Sequence, residues 1–431
     1  PVPRLLLILV VLLGGLAFGP APRAAAVPDA PALAVEVVVE GLDIPWGLDF
    51  APDGTMYFTE RSGAWSALAP PYTGAPTPIA YDDSDLYVNR ETGLLDLLVD
   101  PDFATNRRVF TCQGHQAEGR RPRIQVISWT ISADNRTAQR LADPLVDNVT
   151  RWGLRGKHGG CRLRFDGAGH LFVATGDGHR TDNPQDLRTL GGKVLRVDPD
   201  TGAGLAANPW GHDPNPNRRR IWTYGHRNLQ GLALRPGTTA QMWSVEHGTY
   251  RDDEVNRLVR GANYGWQPGP DYDESPPMTD LQRFPHAIPA RWSSGYPTVA
   301  TSGAVFLEGS PWGAWNGALA VAALKGQRLL IFPFAGGVLE APVVPGVLYG
   351  TYGRLRTVVL GPDGALYVTT ANGGGQDRIL RVTPLELVPA APGREAQERP
   401  RRESVSTGAP RRTGRGRRSR RRGACGRAGS A

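Results

Sequence analysis

Along this chain of 431 residues, a turn rich in Pro, Asp and Gly is followed again and again by a short strand-like run of alternating apolar and polar character. The copies are "FAPDGTMYFTE" (50–60), "VDPDFATNRRVFTCQ" (99–113), "FDGAGHLFVATGD" (165–177), "LRPGTTAQMWSVEHG" (234–248), "LEGSPWGAWNGALAVAAL" (307–324) and "LGPDGALYVTTAN" (360–372). Apolar stretches of helical period and length are nearly absent outside the first residues, so the class is all-β. Six copies spaced by roughly 50 to 75 residues suit four-stranded blades with variable loops, and predict a six-bladed β-propeller. Two stacked sandwiches would also use many short strands. They do not explain one turn-strand unit recurring through the whole body.

The ends differ from this body. Arg4 precedes an apolar run from Leu5 to Gly19, and "RAAAVP" offers small residues for cleavage after Ala26, so residues 1–26 read as an export signal. That run is too short to span a membrane, and no later segment matches it. The overall charge of +8 suggests a polyanionic partner until it is located. Residues 393–431 carry 13 Arg against 3 Glu and the leader carries Arg4 and Arg23, which leaves the body between them at −4. Nucleic acid is therefore not an expected partner of the body. The tail, residues 388–431, lacks core-forming residues and reads as disordered. It is an extension without function, a surface anchor or a nucleic-acid arm. Residues 27–387 form the propeller domain on this reading. Its two cysteines, Cys112 and Cys161, are either a disulfide or two buried thiols, and no cysteine-based metal spacing exists.

Propellers collect polar residues at the mouth of the central channel, where strand ends and loops meet. His158 and Asp177 bracket the third copy, and "YGHRNLQGLAL" places Arg227, Asn228 and Gln230 before the fourth. Histidine takes a proton near neutrality, and a carboxylate can fix its tautomer and stabilise its cation. A histidine of this kind can equally be structural. Lys325 follows the fifth copy, and Arg354 and Arg356 precede the sixth. If these three cations converge, an anion must lie between them. Two arginines two residues apart on a strand share a face and can grip a carboxylate or phosphate together, or both can be solvated.

Taken together, these segments resemble the PQQ-dependent glucose/sorbosone dehydrogenase family of exported six-bladed propellers, from "GLDIPWGLDFAPDG" at Gly41 to "DRILRVTP" at Pro384. The resemblance implies His158 as general base, Asp177 as its orienting acid, and Arg227 and Asn228 against the quinone carbonyls. It further implies Lys325, Arg354 and Arg356 on the cofactor carboxylates, with Glu91 in "RETGLLDLLVDPDF" near the cofactor. The segment "EHGTYRDDEVN" resembles the family's calcium loop, with the carbonyls of Gly248 and Thr249 as ligands; the family's common proline is Thr249 here. "GPDYDESPP" (269–277) is either a second calcium loop or a plain acidic loop. Lys157 stands before the base where glucose-oxidising members tend to have an acid, which bears on the sugar more than on the reaction. The implied activity is oxidation of an aldose at C1 to its lactone, with PQQ and calcium as cofactors and electrons passed to an external acceptor. A calcium-dependent lactonase-type propeller and a non-catalytic carbohydrate- or protein-binding propeller are the alternatives.

Overall fold

The computed structural model describes residues 30–385 except 117, 119–120 and 152–155. The leader and the tail, with Cys425, lie outside the described residues. Six antiparallel sheets account for nearly all regular structure, and the fold is a six-bladed β-propeller. Blade 1 runs Pro45–Phe50, Met56–Glu60, Trp65–Leu68, Thr77–Pro78. Blade 2 runs Leu94–Val99, Arg108–His115, Arg123–Ile131, Ala138–Arg151, and blade 3 Gly160–Phe165, Leu171–Thr175, Lys193–Val197, Ile221–Tyr224. Blade 4 runs Leu229–Leu234, Met242–Glu246, Glu254–Arg257, Trp292–Ser293. Blade 5 has three strands, Thr301–Phe306, Leu319–Ala323 and Arg328–Phe332. Blade 6 takes Leu355–Leu360, Leu366–Thr370 and Asp377–Pro384 from the end of the body and its outer strand, Leu33–Leu42, from the beginning, which closes the ring.

Each repeat seen in the sequence is the turn between the first and second strands of one blade, together with the second strand. Its chemistry recurs as well: Asp53 Oδ1 accepts from Thr55 N–H, Asp166 Oδ1 from Ala168 N–H, and Asp363 Oδ1 from Ala365 N–H. An Asp that binds the backbone two residues on makes a tight turn without a partner strand. Among the described residues the only α-helices are the short Phe103–Asn106 and Pro216–Arg220, as the missing 3.6 period foretold.

The apolar faces of neighbouring blades bury one another. Blades 2 and 3 share one cluster that holds Val126, Val146, Leu163, Val173 and Leu195, and inside it Cys112 and Cys161 are joined by a disulfide. The channel between the first strands is filled by Arg162, 1% exposed. Its guanidinium reaches Asp96 of blade 2 at 2.8 Å, the Gln230 carbonyl of blade 4 at 2.9 Å and Thr357 Oγ1 of blade 6 at 3.2 Å, and lies over Trp46 of blade 1. One buried charge on blade 3 thus ties four other blades to its own. Removing Asp96 would strand it, at a cost of about 3–5 kcal/mol.

Candidate active site

The chain enters blade 3 through "KHGG" (157–160), with His158 in the left-handed region at φ 52°. Gly176, which directly follows the second strand of the blade, passes so close that a Cβ there would lie 1.9 Å from the His158 carbonyl oxygen. Only glycine permits that approach, and it brings Asp177 beside the histidine. His158 Nδ1 lies 3.0 Å from Asp177 Oδ1, with His158 6% and Asp177 0% exposed. Asp177 also accepts from the His179 N–H at 2.8 Å, from Trp266 Nε1 at 2.9 Å and from the Tyr272 hydroxyl at 2.6 Å. Burial pushes the Asp177 carboxyl up, but the His158 and Arg227 charges and the bonds from His158 and Tyr272 outweigh it and hold the group below the ordinary carboxylate range. Asp177 is therefore a carboxylate, and His158 Nδ1 is the nitrogen that carries a proton. His158 Nε2 makes no hydrogen bond among the described residues and is the nitrogen left to accept one.

Blade 4 is stitched to this corner through its backbone. Asp177 N–H donates to the Arg227 carbonyl at 2.7 Å, and His247 N–H to the Asn228 carbonyl at 3.0 Å. The Arg227 N–H donates to Glu246 Oε2, while its guanidinium donates to the His247 carbonyl at 3.1 Å and pairs with Glu274. Asn228, 2% exposed, turns its amide oxygen to Gln230.

Lys325, Arg354 and Arg356 come from blades 5 and 6 and line a single cavity of about 360 Å³ with Glu91, Trp46, Gln230 and His247. Gly159 and Gly160 form part of its wall, and Glu91 accepts from the His158 N–H at 2.9 Å, so the cavity adjoins the histidine. None of the three cations meets a carboxylate within ion-pair distance among the described residues. Lys325 touches only Thr298 Oγ1, at 3.3 Å, and Arg356 Nε is enclosed with no partner. Burial first, then the charges of Arg162 and Arg354, press the Arg356 guanidinium down to about 9, and burial also lowers Arg354. The same surroundings act on His247, whose imidazole is pushed down to about 3 by burial and by Arg227, Arg356 and His158. Cations are not gathered at such cost without an anion to receive; this wall can hold a ligand with several carboxylates.

Beside His247, Gly248 donates its N–H to Asp253 Oδ1, and the carbonyl oxygens of Gly248 and Thr249 accept no hydrogen bond among the described residues. Two uncommitted carbonyls can serve a hard cation. Residues 269–277 bring no three acidic or histidine side chains together. They deliver Tyr272 to the His158–Asp177 pair and Glu274 to Arg227 instead. The sequence reading missed Tyr272, Trp266, His247 and Trp46. Trp46 lies under both guanidiniums, 4.4 Å from Arg162 and 5.0 Å from Arg356. Only the aromatic cluster in "NYGW" and the histidine of "EHG" gave any hint.

The sequence model for Glucose / Sorbosone dehydrogenase matches residues 42–381. Aldose sugar dehydrogenase YliI of Escherichia coli K12 is 32% identical over 368 residues, which cover 81% of this chain and 92% of that protein. The apo crystal structure of the soluble Escherichia coli aldose sugar dehydrogenase is similar with a TM-score of 0.71 at 29% identity, covering 82% of this chain and all of that one. The PQQ-bound aldose sugar dehydrogenase of Streptomyces coelicolor is similar with a TM-score of 0.64 at 28% identity, covering 82% and 99%.

Proposed function

This chain belongs to the glucose/sorbosone dehydrogenase family, and we propose that it oxidises an aldose at C1 to the lactone with pyrroloquinoline quinone as its cofactor, passing the electrons to an external acceptor. The observation that carries this reading is the wall of Lys325, Arg354 and Arg356, none of which pairs with a carboxylate among the described residues, in the cavity that adjoins His158. PQQ is a tricarboxylate, so the donor set fits it. Lys325, Arg354 and Arg356 would hold its carboxylates, with Trp46 and Glu91 in the same wall and Arg227 and Asn228 on the blade 4 side. Bound there, the quinone supplies the acceptor for the hydride that leaves the sugar C1.

The protein's own residues do the proton chemistry. Asp177 holds His158 with its proton on Nδ1, so that Nε2 takes the proton of the anomeric hydroxyl. As the imidazole becomes cationic, the buried carboxylate stabilises it. Arg227, whose guanidinium donates to the carbonyl of the cavity-lining His247, would offer positive charge to oxygens that gain electron density there. The carbonyls of Gly248 and Thr249 would hold calcium. Residues 27–387 constitute the catalytic domain on this reading, and residues 1–26 direct it out of the cytoplasm. Among the described residues no helix is long and apolar enough to cross a membrane.

A screen of aldoses against apoprotein loaded with PQQ and calcium tests the proposal. Quinone absorbance should bleach with at least one aldose, and no bleaching across the panel would overturn it.

A further inference from the structure

The tight loop 269–277 was marked by its acids, yet it is Tyr272 that enters the site. Asp271 and Tyr272 both sit in the left-handed region, at φ 55° and 61°, a conformation that non-glycine residues adopt only when their surroundings hold them there. Here the His179 ring stacks on Tyr272 with centroids 3.6 Å apart. Two residues on, Glu274 pairs with Arg227. The Tyr272 hydroxyl is 2.6 Å from Asp177 Oδ2 and 2.9 Å from His158 Nδ1, so one phenol touches both members of the pair.

Resting on the dehydrogenase reading of this site, we infer that Tyr272 is a positioning residue for the base, fixing the His158 ring and its tautomer by accepting from Nδ1–H while donating to Asp177. The direction of its own proton follows from its surroundings. Burial first and the Asp177 charge second push the phenol far above its ordinary range, so it remains an O–H and spends that proton on the carboxylate. Its oxygen then has only lone pairs for His158. Nδ1–H consequently faces two acceptors, Asp177 Oδ1 and the phenol, and the alternative tautomer would face two groups that cannot donate to it. Asp177 alone could select the tautomer but not pin the carboxylate plane; Tyr272 and Trp266 do so by saturating Oδ2. The other charged or titratable groups around the ring, Lys157, His179, Glu91, Arg227, His247 and Glu274, offer Nδ1 no hydrogen bond among the described residues.

Tyr272→Phe keeps the ring that stacks on His179 and deletes only the hydroxyl. In ¹⁵N-histidine apoprotein above neutral pH, the two His158 nitrogens should resonate far apart in the wild type and move toward each other in the variant, as the second tautomer becomes populated; His158→Gln assigns the signals. In the loaded enzyme kcat should fall roughly tenfold as the misplaced proton and ring disable the base, with KM for the sugar and PQQ affinity little changed; the bond lost to buried Asp177 lowers the melting temperature, so the kcat-against-KM split and the nitrogen signals, not stability, decide. Unmoved nitrogen signals with unchanged kcat would overturn the role of Tyr272. If the wild type oxidises no aldose, the dehydrogenase reading fails, while the nitrogen signals of the apoprotein still decide for or against Tyr272.

Discussion

The two sides of the cavity treat charge in opposite ways. On the side of blades 3 and 4 the reacting pair and its neighbouring arginine meet opposite charge within the chain, although Arg227 Nε itself has no partner: Asp177 accepts from His158, His179, Trp266 and Tyr272, and Arg227 has Glu274 and the His247 carbonyl. On the side of blades 5 and 6, Lys325, Arg354 and Arg356 have no acid at all within ion-pair distance among the described residues, and Arg356 Nε has no partner. A satisfied network is rigid and ready before a ligand arrives, whereas an unsatisfied one stores a demand for that ligand. On the proposed reading the first side performs the reaction and the second holds what the reaction needs. Substitutions on the two sides should therefore separate turnover from cofactor affinity.

The largest effect belongs to the satisfied side. His158→Ala should lower kcat by about 10²- to 10⁴-fold, the usual worth of a general base, while PQQ affinity measured by titration stays within a few-fold of wild type. Equal loss of both would dissolve the distinction between the two sides.

Next comes the disulfide, which closes a separation of 49 residues and ends three residues from His158. Replacing Cys112 and Cys161 with alanine should cost about 2–4 kcal/mol of stability in denaturant titration. Because the bridge ties blades 2 and 3, turnover should suffer more than PQQ affinity.

On the unsatisfied side, Arg356→Ala removes a charge-assisted bond worth roughly 1.5–3 kcal/mol, so PQQ affinity should weaken about 10- to 150-fold. The apoprotein should melt no earlier than wild type, since relieving repulsion with Arg162 and Arg354 offsets the lost packing. A lower melting temperature with unchanged affinity would make Arg356 a structural residue.

The smallest effect sharpens the satisfied side. Glu246, which receives the Arg227 N–H, shares Asn256 with Glu254, and burial first and Glu246 second push the Glu254 carboxyl up to about 8. Folded protein then keeps a proton that the unfolded chain releases above about 4.5, so this group's contribution is present below that pH and lost as pH rises through 8. Glu254→Gln should gain melting temperature relative to wild type between pH 5 and 8, without moving PQQ affinity. A constant difference across that range would show that Glu254 titrates normally.

These two sides were unequally legible in the sequence. The propeller showed because each blade repeats its own turn and strand, with the Asp53, Asp166 and Asp363 turns written locally. His158, Asp177 and the cations stand at the ends of those repeats, and so could be picked out. What lay hidden comes from chain-distant elements. Tyr272 is 114 residues from His158 and sits on a loop whose acids drew attention away from its ring. Trp46 and His247 stand in segments singled out for other reasons, and nothing local shows that Arg162 spans the channel to lie, like Arg356, against the same indole. The unpaired state of the cations was equally invisible, because spacing puts two arginines on one face without showing whether Lys325 joins them or whether a carboxylate reaches ion-pair distance.

The central claim is that the cation wall awaits PQQ and presents it to the His158 side. Titrating apoprotein with PQQ in calcium buffer, and following quinone absorbance through a subsequent addition of aldose, tests it most directly. Saturation at one PQQ per chain, weakened in the Arg354 and Arg356 variants, is expected, followed by bleaching that His158→Ala abolishes. Absence of saturable binding, or binding that ignores both arginines, would contradict it.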